Sequence, residues 1–278
     1  MFIRIIPRLD IKGPNLIKGI CFEGLRSLGN PNHYAQKYFL DGADELIIND
    51  IVASLYGRDN IKSVLKDTSK NIFIPITAGG GVRSLGDAKE LLKSGADKIM
   101  INTAALKKPQ LINYLADNLG SSTICANIEA KKIKSDFFCY YNFGRDNSGK
   151  KVENWIQEIQ ERGIGEICVT SIDNDGNKSG LNYELFSRIK KNCKLNVPTI
   201  FGGGIGKPEH IHEFLKKNHI NGITLSSILH YSNLDKSNRN SSIEGNEFFL
   251  DKNINPKKKI SIKSIKRLLK KKKIKVRI

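Results

Sequence analysis

The chain has 278 residues, 39% of them hydrophobic, and a formal net charge of +18. Residues 252–278 hold eleven Lys and two Arg with no Asp or Glu, so the tail carries +13 and the rest only +5, which excludes a surface built throughout for nucleic acid but suits a small anionic substrate. Five scattered cysteines without a CxxC pair argue against a zinc site or disulfide framework, and no apolar run reaches the ~20 residues needed to span a bilayer.

The pattern opens on a strand over 3–9 that ends at Asp10. Its interruption by Arg4, Pro7 and Arg8 is unlike a signal peptide, and a reducing cytoplasm is the expected location. The following loop, "KGPNLIKG", contains Lys18, which either binds a phosphate, gates the site or is a plain surface lysine. A helix over 31–41 leads to strand 45–49, ending at Asp50. After helix 59–69 comes strand 73–77, and directly behind it the run Ala78-Gly79-Gly80-Gly81-Val82. A glycine triplet after a strand lets backbone N–H groups approach an anion closely. Helix 84–94 and strand 98–102 follow, closing on the polar step Asn102-Thr103. Helix 108–118 completes the first half.

The second half repeats the plan. Strand 123–128 ends at Glu129, helix 152–162 follows, and strand 166–170 runs into "SIDNDGNKSG", which holds Ser171, Asp175 and Gly176. There Asp175-Gly176 either presents a carboxylate and an N–H to a ligand or forms a tight turn. Helix 181–192 precedes strand 198–201, and Phe201-Gly202-Gly203-Gly204-Ile205 nearly copies the first glycine run. Helix 207–217 and strand 222–226 end on Ser226-Ser227. Residues 232–258, rich in Ser, Asn and Lys, read as an inserted, flexible loop. A Lys-rich helix over 261–272, within the basic tail 259–278, docks Ile262, Ile265, Leu268 and Leu269 and leaves its lysines in water.

Eight strands each followed by a helix predict an α/β fold, a (β/α)8 TIM barrel formed as one domain from two duplicated half-barrels, about 1–120 and 121–278. "DGADELIIND" (41–50) parallels "RGIGEICVTS" (162–171), and "RLDIKG" (8–13) parallels "NIEAKK" (127–132). Such a barrel carries its site at the C-terminal ends of its strands. Two glycine cradles there imply a ligand with a phosphate at each end. Asp10 and Glu129 hold equivalent places in the halves, and paired carboxylates suit a general acid and a general base; the alternative is that either caps a loop or pairs with Lys12 or Lys131. At the opposite end Arg4, Glu45, Lys98 and Glu166 each open a strand. Alternating signs there form either a structural salt-bridge plug or a gate.

These residues resemble the cyclase subunit of imidazole glycerol phosphate synthase, over 1–231 and 260–278. The likeness rests on "LDIKG…IKG" (9–19), "DELIINDIVAS" (44–54), "GGGVRS" (79–84), "GADKIMINTAA" (95–105), "GEICVTSIDNDGNKSG" (165–180) and "GGGIGKPEH" (202–210). It implies a lyase that takes ammonia from a separate glutaminase subunit in a heterodimer. Ammonia closes the imidazole ring of a phosphoribulosyl-formimino aminoimidazole carboxamide ribotide and expels aminoimidazole carboxamide ribotide, in histidine biosynthesis, without metal or cofactor. The resemblance makes Asp10 and Glu129 the acid/base pair. It assigns phosphate binding to Gly81, Asn102 and Thr103 at one end and to Gly176, Gly204 and Ser227 at the other, beside which Asp175, Gly203 and Ser226 stand as further phosphate-site candidates and Lys18, Asp50 and Ser171 as other substrate-site candidates. It also makes Arg4, Glu45, Lys98 and Glu166 an ammonia gate. Three features depart from the family: Glu129 replaces an Asp, Arg8 stands where a Cys is usual, and an insertion follows His230. They suggest a divergent second copy, and the alternative of an ammonia-channelling partner in amidine modification of a nucleotide sugar for surface polysaccharide. A non-enzymatic phosphate-binding barrel docking its tail on nucleic acid or lipid is a third reading.

Overall fold

The computed structural model describes residues 2–53, 60–234 and 259–278. Among these residues the first half contributes β1 (Arg4–Lys12), β2 (Asn15–Ile20), β3 (Glu23–Gly29), β4 (Leu46–Asp50), β5 (Ile76–Gly79) and β6 (Lys98–Ile101). The second contributes β7 (Ile124–Ile133), β8 (Asp136–Tyr141), β9 (Asp146–Lys151), β10 (Glu166–Ser171), β11 (Thr199–Gly202) and β12 (Gly222–Leu225). Eight of them run parallel in the order β1-β4-β5-β6-β7-β10-β11-β12, and β12 pairs with β1 to close the barrel. The strands read as near-continuous apolar runs because both faces are covered, by helices outside and by the lumen inside. β4 and β10 are buried along their whole length.

The helices follow from period and caps. In Val152–Glu161, Val152, Trp155, Ile156 and Ile159 fall on one buried stripe. Ser84, Asn182 and Ser261 accept backbone N–H groups at the starts of their helices, the last in a capping box with Ser264. The predicted helix 108–118 is Gln110–Leu119, and a short helix not predicted, Thr103–Lys107, precedes it across Lys108 and Pro109. The predicted strand 73–77 begins only at Ile76, since Phe73 is 81% exposed. A short helix, Ser227–Ser232, follows β12 immediately.

The helix Ile262–Lys271 buries Ile262, Ile265 and Leu269, with Leu268 half-buried. The sequence leaves all its lysines in water, but Lys266 is buried and bonds Asp44 at 2.8 Å. Asp41 accepts from the Ile262 N–H at 2.5 Å, satisfying an otherwise orphan donor of the first turn. Of the predicted inserted loop, residues 235–258 lie outside the described residues, as does residue 59 of the helix predicted over 59–69.

Two hairpins were not foreseen. β2–β3 extends β1, and β8–β9 extends β7. They occupy the same place in the two halves, so the duplication reaches beyond the glycine runs.

Candidate active site

Successive residues of a strand point to opposite faces, so every second residue of each barrel strand enters the lumen. At the base, Arg4 donates to Glu45 at 2.7 Å and to Glu166, while Lys98 bonds Glu45 at 2.7 Å and Glu166 at 2.5 Å. The four expected gate residues thus form a closed ring of alternating sign, and Thr77 adds a hydrogen bond to Glu45. Burial works against the charges of Arg4 and Lys98, but the two glutamates hold both above their ordinary values. Above the ring lies an apolar layer of Ile6, Ile47, Met100, Cys125, Cys168 and Ile200. Arg8, Asn49, Asn127 and Thr170, the next inward residues of their strands, stand at the following level.

The two carboxylates sit at the mouth, both buried. Asp10 Oδ1 accepts from Arg8 Nε at 3.0 Å and from Asn49 Nδ2 at 3.4 Å. Glu129 accepts from Asn127 Nδ2 at 3.1 Å and from the Gly144 N–H at 2.9 Å. Neither bond set involves the neighbouring Lys12 or Lys131. Burial pushes the Glu129 carboxyl up to about 7, against the opposing pull of Arg8 and the Gly144 amide. Burial likewise opposes the Arg8 charge, but Asp10 and Glu129 keep the guanidinium above its ordinary value.

Each carboxylate lines a different cavity. Glu129 faces one of about 390 Å³, walled by Asp50, Gly80, Gly81, Asn102 and Thr103. Asp10 faces one of about 20 Å³, walled by Asp175, Gly203, Gly204, Ser226 and Ser227. The carboxylate of one half therefore shares a cavity with the glycine run of the other. Gly80 and Gly203 match in conformation, with φ of 112° and 96°. A Cβ on either would come within 2.3 Å of the Asp50 carbonyl or 2.6 Å of the Ser171 carbonyl, so only glycine fits. Arg83, Lys107 and Lys108 line the larger cavity and were missed in sequence, where nothing separates them from surface cations.

Other expected residues hold structural bonds at or beside these cavities. Lys18 is not a surface lysine; it is buried in an ion pair with Asp175. Gly176 lies outside the linings of these two cavities and packs on Gly19, where a Cβ would approach the Gly19 carbonyl to 2.6 Å. Ser171 is fully buried, donating to Asn174 at 3.0 Å and accepting from Asn182 at 3.1 Å, so it braces the loop. Asp50 stays at the larger cavity, and its Oδ1 also caps a turn there by accepting from the Val52 and Ala53 N–H groups.

The unforeseen hairpins close over the mouth. Phe22, at the β2–β3 turn, stacks on Phe143, at the β8–β9 turn, with centroids 4.4 Å apart and planes at 9°. Cys21 and Phe22 both have positive φ, the pattern of a type I′ turn; Asn142, Phe143 and Gly144 form a left-handed run. Phe22 lines the small cavity and Phe143 the large one.

Residues 4–235 match the family described as histidine biosynthesis protein. The chain is 48% identical over 211 residues to the imidazole glycerol phosphate synthase subunit HisF of Legionella pneumophila, covering 76% of this chain and 99% of that protein. It is 41% identical over 248 residues to the subunit of the same name from Methanocaldococcus jannaschii, covering 82% and 90%. To that of Natranaerobius thermophilus it is 39% identical over 231 residues, covering 83% and 91%.

Proposed function

The chain belongs to the histidine biosynthesis protein family, and from that premise we propose that it is the cyclase subunit of an imidazole glycerol phosphate synthase, a lyase fed with ammonia by a glutaminase partner. Two buried carboxylates set between two glycine cradles at one barrel mouth support this role most directly. The cradles hold the phosphates of the formimino ribotide, and the carboxylates face the bonds that change between them. Closing the ring takes a proton from the attacking nitrogen and gives one to the departing carboxamide ribotide. Asp10, ion-paired with Arg8, accepts the first; Glu129, which keeps its proton to about pH 7, supplies the second.

Ammonia enters from the base, where the partner docks, and passes the ring of Arg4, Glu45, Lys98 and Glu166. No helix among the described residues is long and apolar enough to cross a membrane. The name shared by the relatives favours this role over amidine transfer to a nucleotide sugar.

The test is turnover of the formimino ribotide by the purified chain with high ammonium near pH 7. Imidazole glycerol phosphate is the expected product. Asp10→Asn should lower kcat by about 10²- to 10⁴-fold while leaving ribotide affinity nearly intact. Unchanged kcat removes Asp10 from the mechanism, and no product from the wild type refutes the cyclase role.

A further inference from the structure

Arg8 is 3% exposed, and its bonding is incomplete. Nε is given to Asp10, and Nη1 to Asn127 at 3.1 Å and Thr170 at 3.2 Å, yet the buried Nη2 has no hydrogen-bond partner. An unpaired buried donor costs about 1–3 kcal/mol, and more on a charged group. Proteins satisfy most such groups, and the exceptions concentrate where a ligand, ion or water completes them.

The residue is held in place from behind. Its carbonyl accepts from Ser226 Oγ at 3.1 Å and contacts His230 Nε2 at 3.0 Å. A carbonyl can only accept, so Nε2 carries the proton. Burial pushes the His230 ring down to about 3 and keeps it neutral, which leaves Nδ1 to accept from the Tyr38 hydroxyl at 2.6 Å. Arg8 also lines the small cavity, beside Gly203, Gly204, Ser226 and Ser227. Arg8 therefore borders one cradle and one carboxylate while one of its donors, Nη2, is buried and unspent.

We infer that Arg8 is a ligand-binding residue: its Nη2 edge takes a carbonyl or hydroxyl oxygen of a phosphorylated sugar whose phosphate rests on Gly203, Gly204, Ser226 and Ser227. This rests on the two-phosphate site proposed above. A rigid planar fork fixes the direction of such an oxygen, which a lysine's point charge does not. The cradle then selects sugar phosphates over phosphate itself.

Titration calorimetry with D-ribulose 5-phosphate and with inorganic phosphate tests the assignment. Arg8→Met alone would strand Asp10, so the comparison is the double variant Arg8→Met/Asp10→Asn against Asp10→Asn, with Arg8→Lys as a second, charge-keeping variant. Losing a hydrogen bond from a charged donor should weaken ribulose 5-phosphate by about tenfold or more in both comparisons. Inorganic phosphate should bind nearly unchanged. Equal weakening of both compounds, no weakening of either, or no binding of ribulose 5-phosphate by the wild type overturns the assignment. Failed ribotide turnover with the selective loss intact refutes the cyclase role and leaves Arg8 assigned.

Discussion

Glu129 holds its proton to about pH 7 because its carboxyl is buried, despite a guanidinium nearby. Between the ordinary carboxylate range and that value the folded chain binds a proton that the unfolded chain has lost. Stability therefore falls as pH rises from about 4.5 to about 7, by on the order of 3 kcal/mol in full. Denaturant unfolding across pH 5 to 8 should show this decline in the wild type and not in Glu129→Gln. Serving as the acid, the same group should make wild-type kcat fall above about pH 7, a limb absent from the slow residual turnover of Glu129→Gln. Glu129 and Asp10 were legible as an equivalent pair in the two halves. Arg8 was visible as an interruption of the first apolar run and as a replacement for Cys, not as a site residue. Its place was readable from the strand period, since Arg4, Ile6, Arg8 and Asp10 alternate on one face, but its partners Asn127 and Thr170 come from strands far away in the chain.

At the scale of elements, the eight barrel strands were legible because each is a short buried run between helices with a clear apolar stripe. The two hairpins were not. β9, Asp-Asn-Ser-Gly-Lys-Lys, has no apolar alternation, and the Cys21-Phe22 turn lacks the Asn-Gly signal that marks a two-residue hairpin. Their tips nonetheless set the site, for the Gly144 amide bonds Glu129 and the neighbouring Phe143 stacks on Phe22. Gly144 has φ of 72°, and a Cβ there would meet Phe22 Cδ2 at 2.8 Å. Gly144→Ala should cost about 1–2 kcal/mol of stability through the left-handed backbone. By shifting Phe22 and the Glu129 donor it should also lower kcat/KM, about tenfold or more. Unfolding curves beside steady-state kinetics separate the two effects, and wild-type kcat/KM would make the tips bystanders.

In the whole molecule, the lumen is stacked by chemistry: a charged ring, an apolar belt, a polar level holding Arg8, then the carboxylates. Lys98→Met removes one cation from the ring and leaves Glu45 and Glu166 to share Arg4. If the ring is the ammonia gate, this variant with a glutaminase partner should lose glutamine-driven turnover while turnover with added ammonium stays at the wild-type level. Equal loss in both assays would make the ring a structural plug, since removing one partner of a buried ion pair destabilises by itself. The two cradles, alike in sequence, differ in room, about 390 Å³ on one side and about 20 Å³ on the other, where Phe22 forms part of the wall. Two copies of one plan thus differ most in the space left beside their glycines. If both cradles take a phosphate, the narrow one must widen, and Phe22, which lines it and stacks on Phe143, is the side chain placed to give way.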